Sequence, residues 1–207
     1  MRYIITGYGK FGRIAAERLS ASFPDKGIIV IEPRADQIDQ APSSNLTMVK
    51  GDAVSYLTES GHVHSDDMVI PMVPFHLNAS YLMAKHPDSD QIPFPEQLST
   101  LVPNPYGMDE SNLCCSRADF LCPDDCPEGE TCTVTGELRE EPLYGMLGRL
   151  EVTGFEVLVQ RSYQVLPGVG GYPFGDLLEL EKRPVSGKYI VATACKCHGV
   201  ITALIFP

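Results

Sequence analysis

Residues 2–12, RYIITGYGKFG, decide how this chain is read. The apolar run 2–6 predicts a short strand, and Gly7-Tyr8-Gly9-Lys10-Phe11-Gly12 ends it. Phe11, Ile14, Ala15 and Leu19 then recur at helical spacing, which predicts an amphipathic helix over 13–22. A strand that passes through G-x-G-x-x-G into a helix meets specific physical needs. The first glycine permits the tight turn, the second lets backbone amides approach a pyrophosphate, and the third lets the helix pack closely on the sheet. The helix N-terminus supplies the dipole that favours an anion.

Outward from this loop, 27–32 (GIIVIE) is a near-continuous apolar run, as expected of a parallel strand buried on both faces. Glu32 ends it, where an acidic side chain accepts hydrogen bonds from an adenosine ribose. A carboxylate there repels a 2′-phosphate, which favours NAD(H) over NADP(H); Arg34 softens that preference. A weak helix is expected over 35–40, a strand over 46–49 ending in Gly51-Asp52, a strand over 67–71, and a helix over 75–85 with Pro74 at its first turn. Further on come a helix at 143–147, a strand at 155–160, a Gly-rich loop at 167–171 (PGVGG), a helix at 174–181, and strands at 189–194 and 200–206. The alternation of strand and helix predicts the α/β class: a Rossmann-type doubly wound parallel sheet, extended by the last strands and interrupted by a cysteine-rich loop insertion. Three parts follow: 1–86, binding NAD(P); 87–140, a Pro- and Cys-rich insertion binding metal; and 141–207, completing the sheet.

The segments ITGYGKFGRIAAERL, IIVIEPRAD and VKGDAVSYL resemble the N-terminal nucleotide-binding domain of regulator of potassium conductance (RCK) and Trk-type potassium-uptake proteins, over residues 1 to about 60. The resemblance implies an adenine nucleotide framed by the loop Gly7, Tyr8, Gly9, Lys10, Phe11 and Gly12, by Glu32, and by Asp52 of the Gly-Asp pair. It also implies a regulatory role, linked in that family to potassium transport, and pairing into a homodimer. The cysteine-rich remainder falls outside the resemblance.

Seven cysteines in a chain that opens on a strand, with no secretory leader, suggest a reducing cytoplasm and metal ligation rather than disulfides. Cys122, Cys126 and Cys132 share a loop that Pro123 and Pro127 keep from becoming a helix. Three thiolates are one short of a tetrahedral or cubane site, and the fourth is expected from Cys195 or Cys197. On an extended segment these two point to one face, with Lys196 and His198 on the other. The donors suit an iron–sulfur cluster or zinc; the Cys-Pro pairs and the lack of C-x-x-C knuckles lean to iron–sulfur. Reduced free cysteines are the plainer alternative. Adjacent Cys114 and Cys115 are not expected to serve one metal together, although Cys115 is a candidate.

The net charge of −11 argues against a general nucleic-acid binder, and the longest apolar run, 200–206, is far short of a membrane span. His62 and His64 read as a loop rather than a metal pair. His76, just past the strand at 67–71, is a weak candidate acid or base beside a bound ring. The PGVGG loop lacks the Lys-Ser/Thr of a P-loop, so it reads as a turn or as a close backbone approach to a ligand or to the metal loop. Two functions result: an RCK-like module that binds NAD(H) or another adenine nucleotide and carries a metal centre, or an NADH-dependent oxidoreductase or electron-transfer protein. The second needs an intermediary between hydride and one-electron chemistry, usually a flavin, and no flavin site is legible.

Overall fold

A computed structural model describes residues 1–34, 43–107 and 109–207 of the chain. β1 (Tyr3–Thr6) leads through the glycine loop into α1 (Lys10–Ser22), followed by β2 (Ile28–Glu32), β3 (Leu46–Lys50), α2 (Ala53–Thr58), β4 (Met68–Pro71) and α3 (Leu77–Lys85). The expected helix at 35–40 lies outside the described residues. α2 is missing from the sequence reading, and a side-chain cap starts it: Asp52 Oδ1 accepts from the Ser55 amide and hydroxyl. The Pro-rich excursion is more regular than its composition suggests. It holds β5 (Asp90–Gln91), α4 (Leu98–Leu101), β6 (Tyr106–Gly107) and β7 (Asn112–Ser116). After the cysteine loop come α5 (Leu143–Leu147), β8 (Glu156–Arg161), β9 (Tyr163–Leu166), β10 (Val169–Pro173), α6 (Phe174–Glu181), β11 (Gly187–Ala194) and β12 (His198–Phe206).

The strands form two sheets. The first runs β3-β2-β1-β4-β10-β9; its first four strands are parallel, and β10 and β9 add on antiparallel. The 3-2-1-4 order is that of a doubly wound nucleotide-binding sheet, and the strand order reverses between β1 and β4, where such folds open a ligand crevice. The second sheet runs β6-β7-β12-β11-β8, with β5 also on β12. The expectation that the last strands extend the first sheet is therefore corrected: β11 and β12 build a sheet of their own. Each is apolar on both faces, so each needs cover on both sides rather than an edge position. With β9 beyond it at the edge, the place beside β4 goes instead to β10, most of it from the PGVGG stretch. Gly171 suits it, because a Cβ there would stand 2.5 Å from the Val69 carbonyl oxygen.

The layers follow from side-chain alternation. Tyr3 and Ile5 of β1 face α1, through Ala15, Ala16 and Leu19, while Ile4 faces the opposite core. That central core is filled by α2, α3 and α6 and closed from the far side by Tyr189 and Val191 of β11 and Leu204 of β12. Ile190 and Ala192 point the other way, onto α5 and α4. Helix, sheet, helices, sheet and helices thus stack in five layers.

His76 ties the middle of this stack to the second sheet. Its ring is buried, with Nδ1 2.8 Å from Thr202 Oγ1 and Nε2 2.8 Å from Thr193 Oγ1. Thr202 donates its own proton to Asn112 Oδ1 at 2.5 Å, so it accepts from Nδ1–H, and Nε2 accepts from Thr193. The candidate acid–base role is corrected: both ring nitrogens are engaged between the sheets, and the ring does not line a ligand cavity.

Burial pushes His76 down to about 3 from 6.5, so the unfolded chain takes up a proton that the folded chain refuses across this range. Stability from this site is complete above pH 7 and drains as pH falls, by about 2 kcal/mol at pH 5. Urea unfolding of the wild type and of His76→Gln at pH 7.5 and pH 5 checks this: the variant is weaker at both, but its loss between them is smaller by that amount.

Candidate functional site

The glycine loop has the geometry its spacing implies. Gly7 sits at φ +98°, and a Cβ there would meet the Met72 carbonyl oxygen at 2.7 Å, so only glycine is comfortable. A Cβ on Gly12 would stand 2.2 Å from the Gly7 carbonyl oxygen, which makes this the closest packing of α1 on the loop. Gly9 is different: an added Cβ would meet nothing within 4 Å. It caps α1 in extended geometry with no side-chain partner for the helix amides, and the first intrahelical bond runs from Arg13 N to Gly9 O. The amides of the first turn therefore remain available to an anion.

Glu32 holds this loop from below. Its Oε2 accepts the Tyr8 amide at 2.8 Å, and its Oε1 accepts the Arg34 amide and Nε. Burial alone would push the carboxyl up. The hydrogen bonds from Arg34 and from the Tyr8 amide outweigh it, and the pKa lies below the usual carboxylate value. Glu32 is thus a buried carboxylate with two roles, anchoring the loop and facing the cavity. The cavity, about 740 Å³, is lined by Gly7, Tyr8, Gly9, Lys10, Phe11, Glu32, Arg34 and Asp52, with the exposed rings of Phe11 and Phe75 at its mouth. Gly12 supports it from behind. Asp52 sits on the wall with Oδ1 committed to capping α2.

The cysteines divide into groups. Cys115 faces the outer core from β7, and burial pushes its thiol up to about 12, so it packs as a small hydrophobe and is corrected as a ligand candidate. Cys114 stands beside Tyr106. Cys122, Cys126 and Cys197 line one cavity, and Cys122, Cys132 and Cys197 line a neighbouring one together with Arg139. Residues 195–197 form the tip of the β11–β12 hairpin, closed by Cys195 N to His198 O at 2.9 Å, rather than an extended run. The turn brings His198 to the same side, with Nδ1 3.9 Å from Cys195 Sγ and Nε2 3.6 Å from Cys122 Sγ. The expected opposition of His198 to the two thiols is therefore corrected. Among the described residues, no three His, Cys, Asp or Glu side chains gather closely enough to hold a single metal ion. His62 and His64 lie in a turn, where His62 stacks on Tyr56 and the His64 amide bonds Asp67.

The two regions touch. Arg18 Nη1 donates to the carbonyls of Asp124 and Pro167, each at 2.8 Å, and Lys10 Nζ lies 3.6 Å from Asp124 Oδ2. Gly168 presses on the cysteine loop: its amide donates to Cys126 O, and a Cβ there would fall 1.7 Å from Asp124 O. The close approach expected of the PGVGG stretch is made to the cysteine loop. Phe11 and Met72 line both the glycine-loop cavity and a second one of about 800 Å³ that reaches Cys122, Cys126, Cys195 and Cys197. Sequence reasoning missed Arg18 and Arg139, because a lone arginine in a helix or loop carries no spacing signal. No helix among the described residues is long and apolar enough to cross a membrane.

Comparison with known proteins divides the chain where β4 ends. Residues 3–73 match the TrkA-N domain, which bears out the RCK and Trk-type resemblance and the nucleotide-binding fold of the first sheet. Residues 72–206 match the family model AF_1314_C, described as "Uncharacterized protein, C-terminal domain". A relative from Archaeoglobus fulgidus, described as "Uncharacterized protein", is 28% identical over a 222-residue alignment that covers 97% of this chain and 98% of the relative.

Gly12 and Gly9 predict opposite responses to one methyl group. Gly12→Ala must push α1 off the Gly7 carbonyl and is expected to lose about 1–3 kcal/mol of stability. Gly9→Ala is expected to stay within about 0.5 kcal/mol of the wild type. Paired urea melts decide it, and equal losses would contradict the packing described.

Proposed function

The chain belongs to the AF_1314_C family, and on that premise, with a TrkA-N domain at its front, we propose that it is a regulatory protein that binds NAD(H) at the Gly7–Gly12 loop. The observation that carries the reading is Glu32, a buried carboxylate bonded to the Tyr8 amide of the phosphate-facing loop and set at the end of β2, where an adenosine ribose would lie. Its negative charge disfavours a 2′-phosphate, although Arg34 on its Oε1 reduces the discrimination.

The same proposal gives the C-terminal part a cysteine-ligated metal centre, of the iron–sulfur or zinc kind. It is supported by thiols from two distant segments that line the same cavity. The Asp124 clasp on α1 offers a physical route by which the state of that centre reaches the nucleotide loop. One observation favours the oxidoreductase reading as second choice: Phe11 and Met72 are shared walls, so the cavity beside the glycine loop adjoins the one that reaches the thiols. NADH that leaves the visible spectrum of the anaerobic protein unchanged removes that second reading. The homodimer implied by the resemblance would use the free edges β3 or β9 of the first sheet.

Calorimetry tests the main reading. Saturable binding of NADH and NAD⁺ is expected, with NADPH weaker. Gly9→Ala is expected to bind at least tenfold more weakly, a change of about 1.4 kcal/mol, because its methyl group meets only the ligand's diphosphate. Absence of heat with every adenine dinucleotide and mononucleotide overturns the proposal.

A further inference from the structure

We propose that the cavity of about 800 Å³ beside the glycine loop receives the nicotinamide half of the dinucleotide, and that it favours the cationic ring of NAD⁺ over the neutral ring of NADH. The inference rests on the NAD(H) reading above. It decides where the second half of that ligand lies and which redox form is held more tightly.

Topology gives the direction. Glu32 and Asp52 stand on the β2 and β3 side of the glycine loop and line the cavity of about 740 Å³ with it, which assigns that side to adenosine. A diphosphate at the head of α1 lies where the strand order reverses, so the other half of the ligand continues over β4. Beyond β4 the sheet carries no further parallel strand; it carries β10 and β9, both from the C-terminal region. Their residues Val169, Gly170 and Gln164 line the second cavity, and Phe11 and Met72 form the wall it shares with the first. The C-terminal region thus supplies the far half of the crevice.

The lining sets the chemistry. Phe11, Tyr106 and Phe120 bring aromatic rings, and Asp119, Asp124 and Glu128 bring carboxylates. No lysine or arginine is among the described residues that line it. Oxidised nicotinamide is a flat aromatic cation, whereas the reduced ring has lost both the charge and the aromaticity. Aromatic faces and carboxylates both attract a cation of this kind. The cations around the cavity are held by other groups. Lys10 Nζ lies 3.6 Å from Asp124 Oδ2 on the glycine-loop side, where a diphosphate competes for it. Arg18 bonds the Asp124 and Pro167 carbonyls, and Lys196 Nζ bonds the Glu128 carbonyl.

Backbone strain marks the same cavity. Asn104 at φ +40° and Glu128 at φ +50° are the two non-glycine residues with positive φ among the described residues, and both line it. A side chain enters that region at a cost, and such positions gather where a ligand is held. The hairpin tip keeps Glu128 there: its Oε1 accepts the Lys196 amide at 2.9 Å, and its carbonyl accepts Lys196 Nζ at 3.0 Å. Its negative charge is therefore fixed in place before a ligand arrives.

The test is calorimetry of the full chain with NAD⁺, NADH and ADP-ribose, which keeps the diphosphate and both riboses but has no nicotinamide. NAD⁺ is expected to bind about fivefold more tightly than NADH and about tenfold more tightly than ADP-ribose. The fluorescence of NADH is expected to rise on binding as its ring leaves water. Glu128→Gln keeps an acceptor for the Lys196 amide and removes the charge. It is expected to weaken NAD⁺ about threefold while NADH and ADP-ribose stay within a factor of about two. Tyr106→Ala is expected to weaken NAD⁺ and NADH and to spare ADP-ribose. Circular dichroism checks that each variant folds, and Asp119→Asn reads the same charge effect should Glu128→Gln fail to fold. ADP-ribose as tight as both dinucleotides overturns the placement of the ring and leaves the nucleotide reading intact. NADH as tight as NAD⁺, or Glu128→Gln weakening all three ligands alike, overturns the charge selection. No binding of any adenine nucleotide overturns the nucleotide reading and this inference with it.

Discussion

The contact on which the rest depends is between two glycines. The Gly7 carbonyl oxygen lies where a Gly12 side chain would begin, so α1 can seat on β1 only with hydrogen at that position. That seating places the first-turn amides of α1 at the carboxyl end of the parallel strands, beside the crevice where the strand order reverses. Glu32 then fixes the loop from the next strand through the Tyr8 amide. The same carboxylate that a ribose would meet is thus part of the loop's foundation. A change at Glu32 therefore acts on loop geometry as well as on ligand contact.

A second constraint joins the two family regions into one structure. The boundary between the matched models falls at the end of β4, yet β10 and β9, from the C-terminal region, pair onto β4 and complete the first sheet. The return of the chain is made possible by Gly168, whose φ of +73° and lack of a side chain let the turn before β10 lie against the Asp124 carbonyl. Arg18 holds that carbonyl and Pro167 together from the far side. The cysteine loop is therefore gripped between α1 and β10, and His76 fastens the helical middle layer to the second sheet. Regions separate in sequence become mutually dependent through a few backbone carbonyls and one buried ring.

Much of the first sheet was legible because its signals are local. The glycine spacing, the apolar run ending in Glu32, and the helical recurrence of Ala15 and Leu19 each fix an element without reference to anything distant. Helices at 143–147 and 174–181 were legible for the same reason. The assignment of β11 and β12 to a separate sheet was not, since an apolar strand states that it is buried but not against which neighbour. β5, β6 and β7 were hidden by short length and flanking prolines; they exist because β12 offers β5 and β7 a partner and β7 in turn pairs β6. At the candidate site the loop residues were legible and their supports were not. The hairpin tip at 195–197 shows why: alternation over two residues cannot tell a strand from a tight turn, and that choice decides which side His198 takes.

The contacts between the nucleotide loop and the thiol region differ in what they can transmit. The Lys10–Asp124 pair is largely exposed, so it contributes little to stability and is weakened by salt. An anionic diphosphate at the head of α1 would compete for the same ammonium. Arg18 bonds two neutral carbonyls, and these bonds are indifferent to a phosphate arriving about two helical turns away. Rearrangement of the cysteine loop would break them, because the Asp124 carbonyl lies two residues from both Cys122 and Cys126. In a regulatory protein the coupling free energy comes only from contacts that differ between two states. By that criterion the Arg18 bonds and the backbone they hold are the contacts that a rearranged cysteine loop would change, while Lys10 would mainly adjust how strongly an anion is drawn to the loop.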